Sequence, residues 1–282
     1  MKAQIKRWVI LLPATLAILV FLSACADLQS IRQFADASAD SVGYTALSKD
    51  YSQSMERLKR YQDNNTMLDK AFQTRKAQQT ALLALHKGVE KYLHALGALA
   101  ADELISYDAS VDSLAAEIKK AKLIDDSKAD AFGSLTKLVA KAATDLYRQR
   151  KLNQMIGEAN TDFQTVITAL RDIVEKDFTS SLDNEAATID KYYKEIIILS
   201  KKTPPQHAAI ALLMEKWQEK SDAVKEKKQA CNLYAKTLKT IGEGHQMLFD
   251  NKDKLSTKQV LDRITAYSKA VSTLGSQIKE LK

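Results

Sequence analysis

The chain has 282 residues, 42 basic against 35 acidic for a formal net charge of +7, and 45% apolar side chains. That apolar share is ample to bury a core and argues against a disordered chain. Only eight glycines and three prolines occur beside plentiful Ala, Leu, Lys, Glu and Gln, a balance that argues for few, long helices.

The first element is a leader. Lys2, Lys6 and Arg7 precede a 15-residue apolar run, Trp8–Leu22, which ends in Leu22-Ser23-Ala24-Cys25. A positive start, an apolar core of about 7–15 residues and small residues at its end mark an export signal, whereas a spanning helix needs roughly 20 apolar residues. Leu22-Ser23-Ala24-Cys25 resembles the lipobox of bacterial lipoproteins. The resemblance covers this segment only. It implies that residues 1–24 are removed and that Cys25 becomes an acylated N-terminus holding residues 25–282 at a membrane. Two or three acyl chains, at about 0.8 kcal/mol per buried CH₂, make a near-permanent tether. In many Gram-negative bacteria an Asp directly after the lipidated cysteine retains the protein in the inner membrane, and here that position is Ala26, with Asp27 next. The address implied is therefore the outer membrane, on its periplasmic face, with a cell-surface location left open.

Without residues 1–24 the chain loses three basic residues and no acidic one, which leaves 39 against 35, or +4. A balance so mild does not call for nucleic acid as a partner. Lipidation of Cys25 leaves Cys231 as the only thiol, so no internal disulfide is available, and its register on an apolar seam predicts a buried structural cysteine.

From Leu28 onward apolar residues recur in steps of three and four, the signature of amphipathic helices with a heptad-like stripe. The stripes run Leu28, Ile31, Ala35, Val42; Tyr44, Leu47, Tyr51, Met55, Leu58; Leu82, Leu85, Val89, Tyr92, Leu96; Val111, Leu114, Ile118, Ala121; and Phe132, Leu135, Val139, Ala142, Leu146. Ala159, Phe163, Val166, Leu170, Ile173 and then Leu182, Ala186, Ile189, Tyr193, Ile196 fit one long helix or two. Thr203-Pro204-Pro205-Gln206 carries the marks of a helix start, and Ser256-Thr257-Lys258-Gln259 repeats the capping box. Asn64-Asn65, Ser106 to Ser110 and Asp126-Ser127 read as turns. The helix after Pro204 reaches to about Asn251, roughly 70 Å at 1.5 Å per residue, with Lys220 and Lys227 interrupting its seam. The fold expected is all-α: an elongated antiparallel bundle of long, coiled-coil-like helices, as one body or as two stacked sub-bundles, about 25–125 and 126–282.

Candidate chemistry is sparse. His86, Glu90 and His94 share a spacing of four on one helix, which suits a metal, yet they fall off the seam and are expected on a solvated face. Gly242-Glu243-Gly244-His245 lacks the rest of a phosphate loop and reads as small residues permitting close helix approach, with His245 on the seam. His207 is expected at the surface, and Asp250-Asn251-Lys252-Asp253 as a helix-end turn. No nucleophile motif, metal set or cofactor motif is present, and no catalytic residue is assigned. Tyr192 and Tyr193 cannot both face one seam, so one of them is a candidate for a contact surface. The expectation is a non-enzymatic, lipid-anchored envelope protein that binds another protein or the cell wall, with homodimerisation through an exposed stripe left open. A periplasmic immunity protein and a bundle that binds a metal, haem or lipid-like molecule are the alternatives.

Overall fold

The computed structural model describes residues 28–43, 45–62, 66–105, 114–143, 148–201 and 207–281. The signal-like segment with Cys25, the turns at Asn64-Asn65 and Ser106 to Ser110, and the helix start at Thr203 to Gln206 lie outside them, as do Tyr44, Val111 and Leu146. The described residues are almost entirely helical, with no strand among them, and form an all-α bundle. No described helix is long and apolar enough to cross a membrane.

Two short helices, α1 (Gln29–Val42) and α2 (Ala46–Lys59), follow one another along the length of α3 (Thr66–Ala100). α4 (Leu114–Ala121) and α5 (Asp126–Ala143) fold back on α3, and α6 (Arg148–Asp172) packs on α3 and α5. α6 continues through a π-helical turn, Ile173–Phe178, into α7 (Thr179–Ser200). The two segments left open in the sequence are thus one rod. The turn has a packing reason: Val166, Leu170, Val174, Phe178 and Leu182 are all buried, and steps of four overshoot an α-helical turn by about 40° each. A wider π turn absorbs that drift and keeps the stripe on one face. The 44-residue α8 (His207–Asp250) returns along this rod, and after a 3₁₀ turn at Lys252–Lys254, α9 (Lys258–Glu280) packs on α8 and α1.

In this glycine-poor chain α3 and α4 end with non-glycine residues in the left-handed region, Asp102 (φ 56°) and Lys122 (φ 49°). α9 starts where the capping box predicts, but the box does not form. Thr257 Oγ1 donates to the Lys254 carbonyl at 3.0 Å and makes no cap bond into the helix.

Packing divides the rod into two ends. At the broad end α1, α3, α6 and α8 are flanked by α4, α5 and α9, and one apolar cluster runs from Ile31 to Ile278. Helices there approach so closely that a Cβ on Gly88 would run into the Phe132 ring, and one on Gly244 would stand 2.5 Å from Phe34. The Gly242–His245 stretch is continuous helix, with small residues admitting Phe34 as its spacing predicts. At the other end, the tip, none of Thr66–Thr80 in α3 and none of His207–Ala223 in α8 is buried. Leu212 lies about 48 Å along α8 from Gly244, and hence from the first turns of α1.

Candidate functional site

Two polar clusters lie inside the bundle, each joining a histidine to a tyrosine on another helix. His86 on α3 has its Nδ1 2.9 Å from the Val42 carbonyl and 2.9 Å from the Tyr234 hydroxyl of α8, and its Nε2 2.9 Å from Ser48 Oγ of α2. A carbonyl only accepts, so Nδ1 carries the proton, Ser48 donates to Nε2, and Tyr234 donates to Val42 O at 3.1 Å. Further along, His245 Nδ1 donates to Asn160 Oδ1 (2.9 Å), Tyr92 donates to Nε2 (2.6 Å), and Asn160 Nδ2 donates to Gln246 Oε1 (2.9 Å). Phe163 stacks on the His245 ring with centroids 4.3 Å apart.

Both imidazoles are therefore neutral and satisfied at each nitrogen. Burial pulls the His86 pKa down to about 4, against a raising contribution from its bond to Val42, and pulls that of His245 down to about 3. Burial likewise pushes both tyrosine hydroxyls above their ordinary value. The void beside His86, bounded by Tyr51, Ile173 and Phe178, is about 10 Å³, room for one water at most.

These positions correct one sequence expectation. His86 is not on a solvated face: α3 is central and is covered by neighbours on several sides, so a residue one step off the seam is still interior. His94 and Glu90 do lie at the surface, 3.8 Å apart, so the structure separates His86 from them. No cluster of three metal-ligating side chains occurs among the described residues. His245 sits on the seam, fully buried, and His207 is exposed. Cys231 is buried, and burial, with Asp50 nearby and Lys227 opposing, pushes its thiol pKa up to about 12. Asp250 closes α8 and Asn251 leads into the 3₁₀ turn, as the helix-end reading requires.

An ion network bounds the sealed interior. Arg57 on α2 grips the buried Glu185 of α7 with two bonds, Nε–Oε1 at 2.7 Å and Nη2–Oε2 at 2.9 Å, and bonds Asp50 Oδ1 at 2.8 Å. Lys227 adds a second cation to Asp50 at 2.7 Å, which is how this seam lysine is accommodated. Desolvation works against the Arg57 charge, but the bonds to Glu185 and the field of Asp50 outweigh it and leave its pKa raised.

Beyond this network the bundle opens. α3 and α7 flank α2 there without closing on each other, leaving two adjoining grooves of about 700 and 760 Å³ that share Met55 and Asn184. Tyr61 stacks edge-on against Tyr192 (centroids 5.2 Å apart), and Tyr192 lines the groove while Tyr193 is buried, dividing the pair between surface and core. Past Tyr193, the end of α7 and the start of α8 expose Ile198 (56%), Leu199 (61%), Leu212 (58%) and Met214 (54%). Of this region the stripes include only Ile196. The signal that finds the others is that Ile196–Leu199 and Ala208–Met214 are apolar on every side of their helices, a pattern proper to helices covered all round.

Comparison of the chain with protein-family models, with curated proteins and with solved structures finds no match.

Proposed function

We propose that this protein is a lipid-anchored interaction module of the bacterial envelope, tethered through Cys25 and presenting the tip of its bundle to a protein partner. The observation that carries the reading is the tip. Of the six large apolar side chains more than half exposed among the described residues, five, Met67, Ile198, Leu199, Leu212 and Met214, lie there, at the end of the rod remote from Leu28 and therefore from the proposed anchor, and the sixth, Leu104, follows α3. Exposed apolar side chains gathered at one end of a molecule, not scattered singly over it, are the kind of surface that binds a partner. The distribution of polar chemistry supports the same reading: the buried histidines and tyrosines hold one another and the backbone, while the open surface carries apolar and charged groups.

The anchor is tested by Cys25→Ser. This variant is expected to accumulate as a larger, unprocessed species that labelled palmitate does not mark. Normal processing would contradict the anchor. The interaction is tested by crosslinking the lipidated protein in cells and purifying it gently; a reproducible, near-stoichiometric protein partner is expected. Recovery of a metal, haem or lipid in place of a protein would favour the ligand-binding alternative.

A further inference from the structure

The two adjoining grooves form one channel beside α2. On the rod, the groove-facing positions run Asp177, Ser180, Asn184, Thr188, Lys191 and Glu195, a stripe about 27 Å long at 1.5 Å per residue. On α3 the facing stripe is Met67, Lys70, Thr74, Arg75 and Gln78, and the floor is the half-buried Met55 of α2, with Tyr51 and Leu58, both buried, beside it. Two helix faces thus look across Met55 with no helix between them among the described residues, while the same α3 is packed on several sides at the broad end.

The rim is basic. Lys70, Arg75, Lys176 and Lys191 line the channel against two carboxylates, Asp177 and Glu195. Arg75 is the most telling of them. It is half-buried, lies 3.8 Å over the Tyr51 ring and reaches Ser181 Oγ only at 3.4 Å, and it makes no ion pair among the described residues. Arg57, on the neighbouring helix, is gripped by two carboxylates. A planar guanidinium held in place by stacking, with its fork open to a groove, is a ready partner for a carboxylate.

We infer that this channel receives an amphipathic, acidic helix of the partner protein, its apolar face on Met55 and Met67 and a carboxylate on Arg75. The inference rests on the interaction reading above and names the surface and the partner's chemistry. The channel is open along its length, whereas small-ligand sites enclose 70–90% of their occupant. Its length admits about five helical turns, and three flanking helices give apolar anchors at i, i+3/4 and i+7 a seat. Lys176 is paired with Asp172 and Lys191 with Glu195, so Lys70 and Arg75, which make no ion pair among the described residues, set the sign of the incoming flank.

The test places a photo-reactive residue at the exposed Asn184 of the full-length lipidated protein in cells, with a second derivative at Leu212, and sequences the crosslinked peptide. A peptide with apolar residues at helical spacing and flanking Asp or Glu is expected at Asn184. Synthesised, it should bind the purified full-length protein, weaken as salt is raised, and lose tenfold or more on Arg75→Glu. Lys176→Glu, at an exposed position away from the Tyr51 stack, guards against misfolding of the first variant and should weaken binding threefold or more with helicity unchanged. A lipid adduct, a peptide from a second copy of this chain, or affinity indifferent to both charge reversals would overturn the inference. An adduct at Leu212 with none at Asn184 would sink the channel while leaving the interaction reading standing, and no adduct at either position would sink both.

Discussion

The two ends of this rod are made from the same kind of heptad-like sequence and behave differently. At the broad end each helix has neighbours on several sides, so even polar side chains one step off the seam are drawn inside, as His86 is. At the tip, α7 and α8 pair with little beyond α2, so residues as apolar as Leu212 and Ile198 stay in water. The difference is therefore one of coverage, not of hydrophobicity. A stripe settles which residues face the nearest helix; the number of helices around it settles what becomes of the rest.

Acidification should expose that contrast most strongly. The folded pKa values of His86 and His245, about 4 and 3, lie below the ordinary 6.5, so the unfolded chain takes up protons that the native core refuses. Their contribution is fully present above pH 6.5 and is lost as pH falls toward 4, at about 1.4 kcal/mol per pH unit for each, or roughly 3 kcal/mol each by pH 4. Denaturant titrations between pH 7 and 4 should show this slope, and His245→Gln should remove about half of it. An unchanged slope in that variant would mean the histidine is not held neutral.

The next effect in size is Phe163→Ala, which empties the site stacked on His245 and is expected to cost about 4 kcal/mol by chemical denaturation. The smallest belongs to the tip. Leu212→Ser with Met214→Ser should change stability by no more than about 0.5 kcal/mol while abolishing capture of the partner. A large loss of stability there would break the comparison, because it would make the tip part of the core.

Much of the fold was legible in the sequence. Leu85, Val89, Tyr92 and Leu96 are buried as their spacing requires, the long helix ends at Asp250, and Cys231 and His245 lie on the seam. His86 was not legible, because its burial depends on Val42, Ser48 and Tyr234, which come from three other helices. The π turn was hidden in a run of four-residue steps that also reads as two helices. The channel was invisible for a stronger reason: it depends on the distance between α3 and α7, and spacing along one chain segment carries no information about that.

The most direct test of the account is thiol labelling of Leu212→Cys by a maleimide, in purified protein and in native envelopes. Cys231 stays silent because its thiol is buried, with a pKa raised to about 12, and the proposed acylation removes Cys25. Rapid labelling in the purified protein and strong protection in the envelope are expected, while a control at Lys236→Cys, exposed midway along α8 and away from both the tip and the anchor end, labels equally in both. Equal labelling of Leu212→Cys in both settings would contradict the claim that the tip is the working surface.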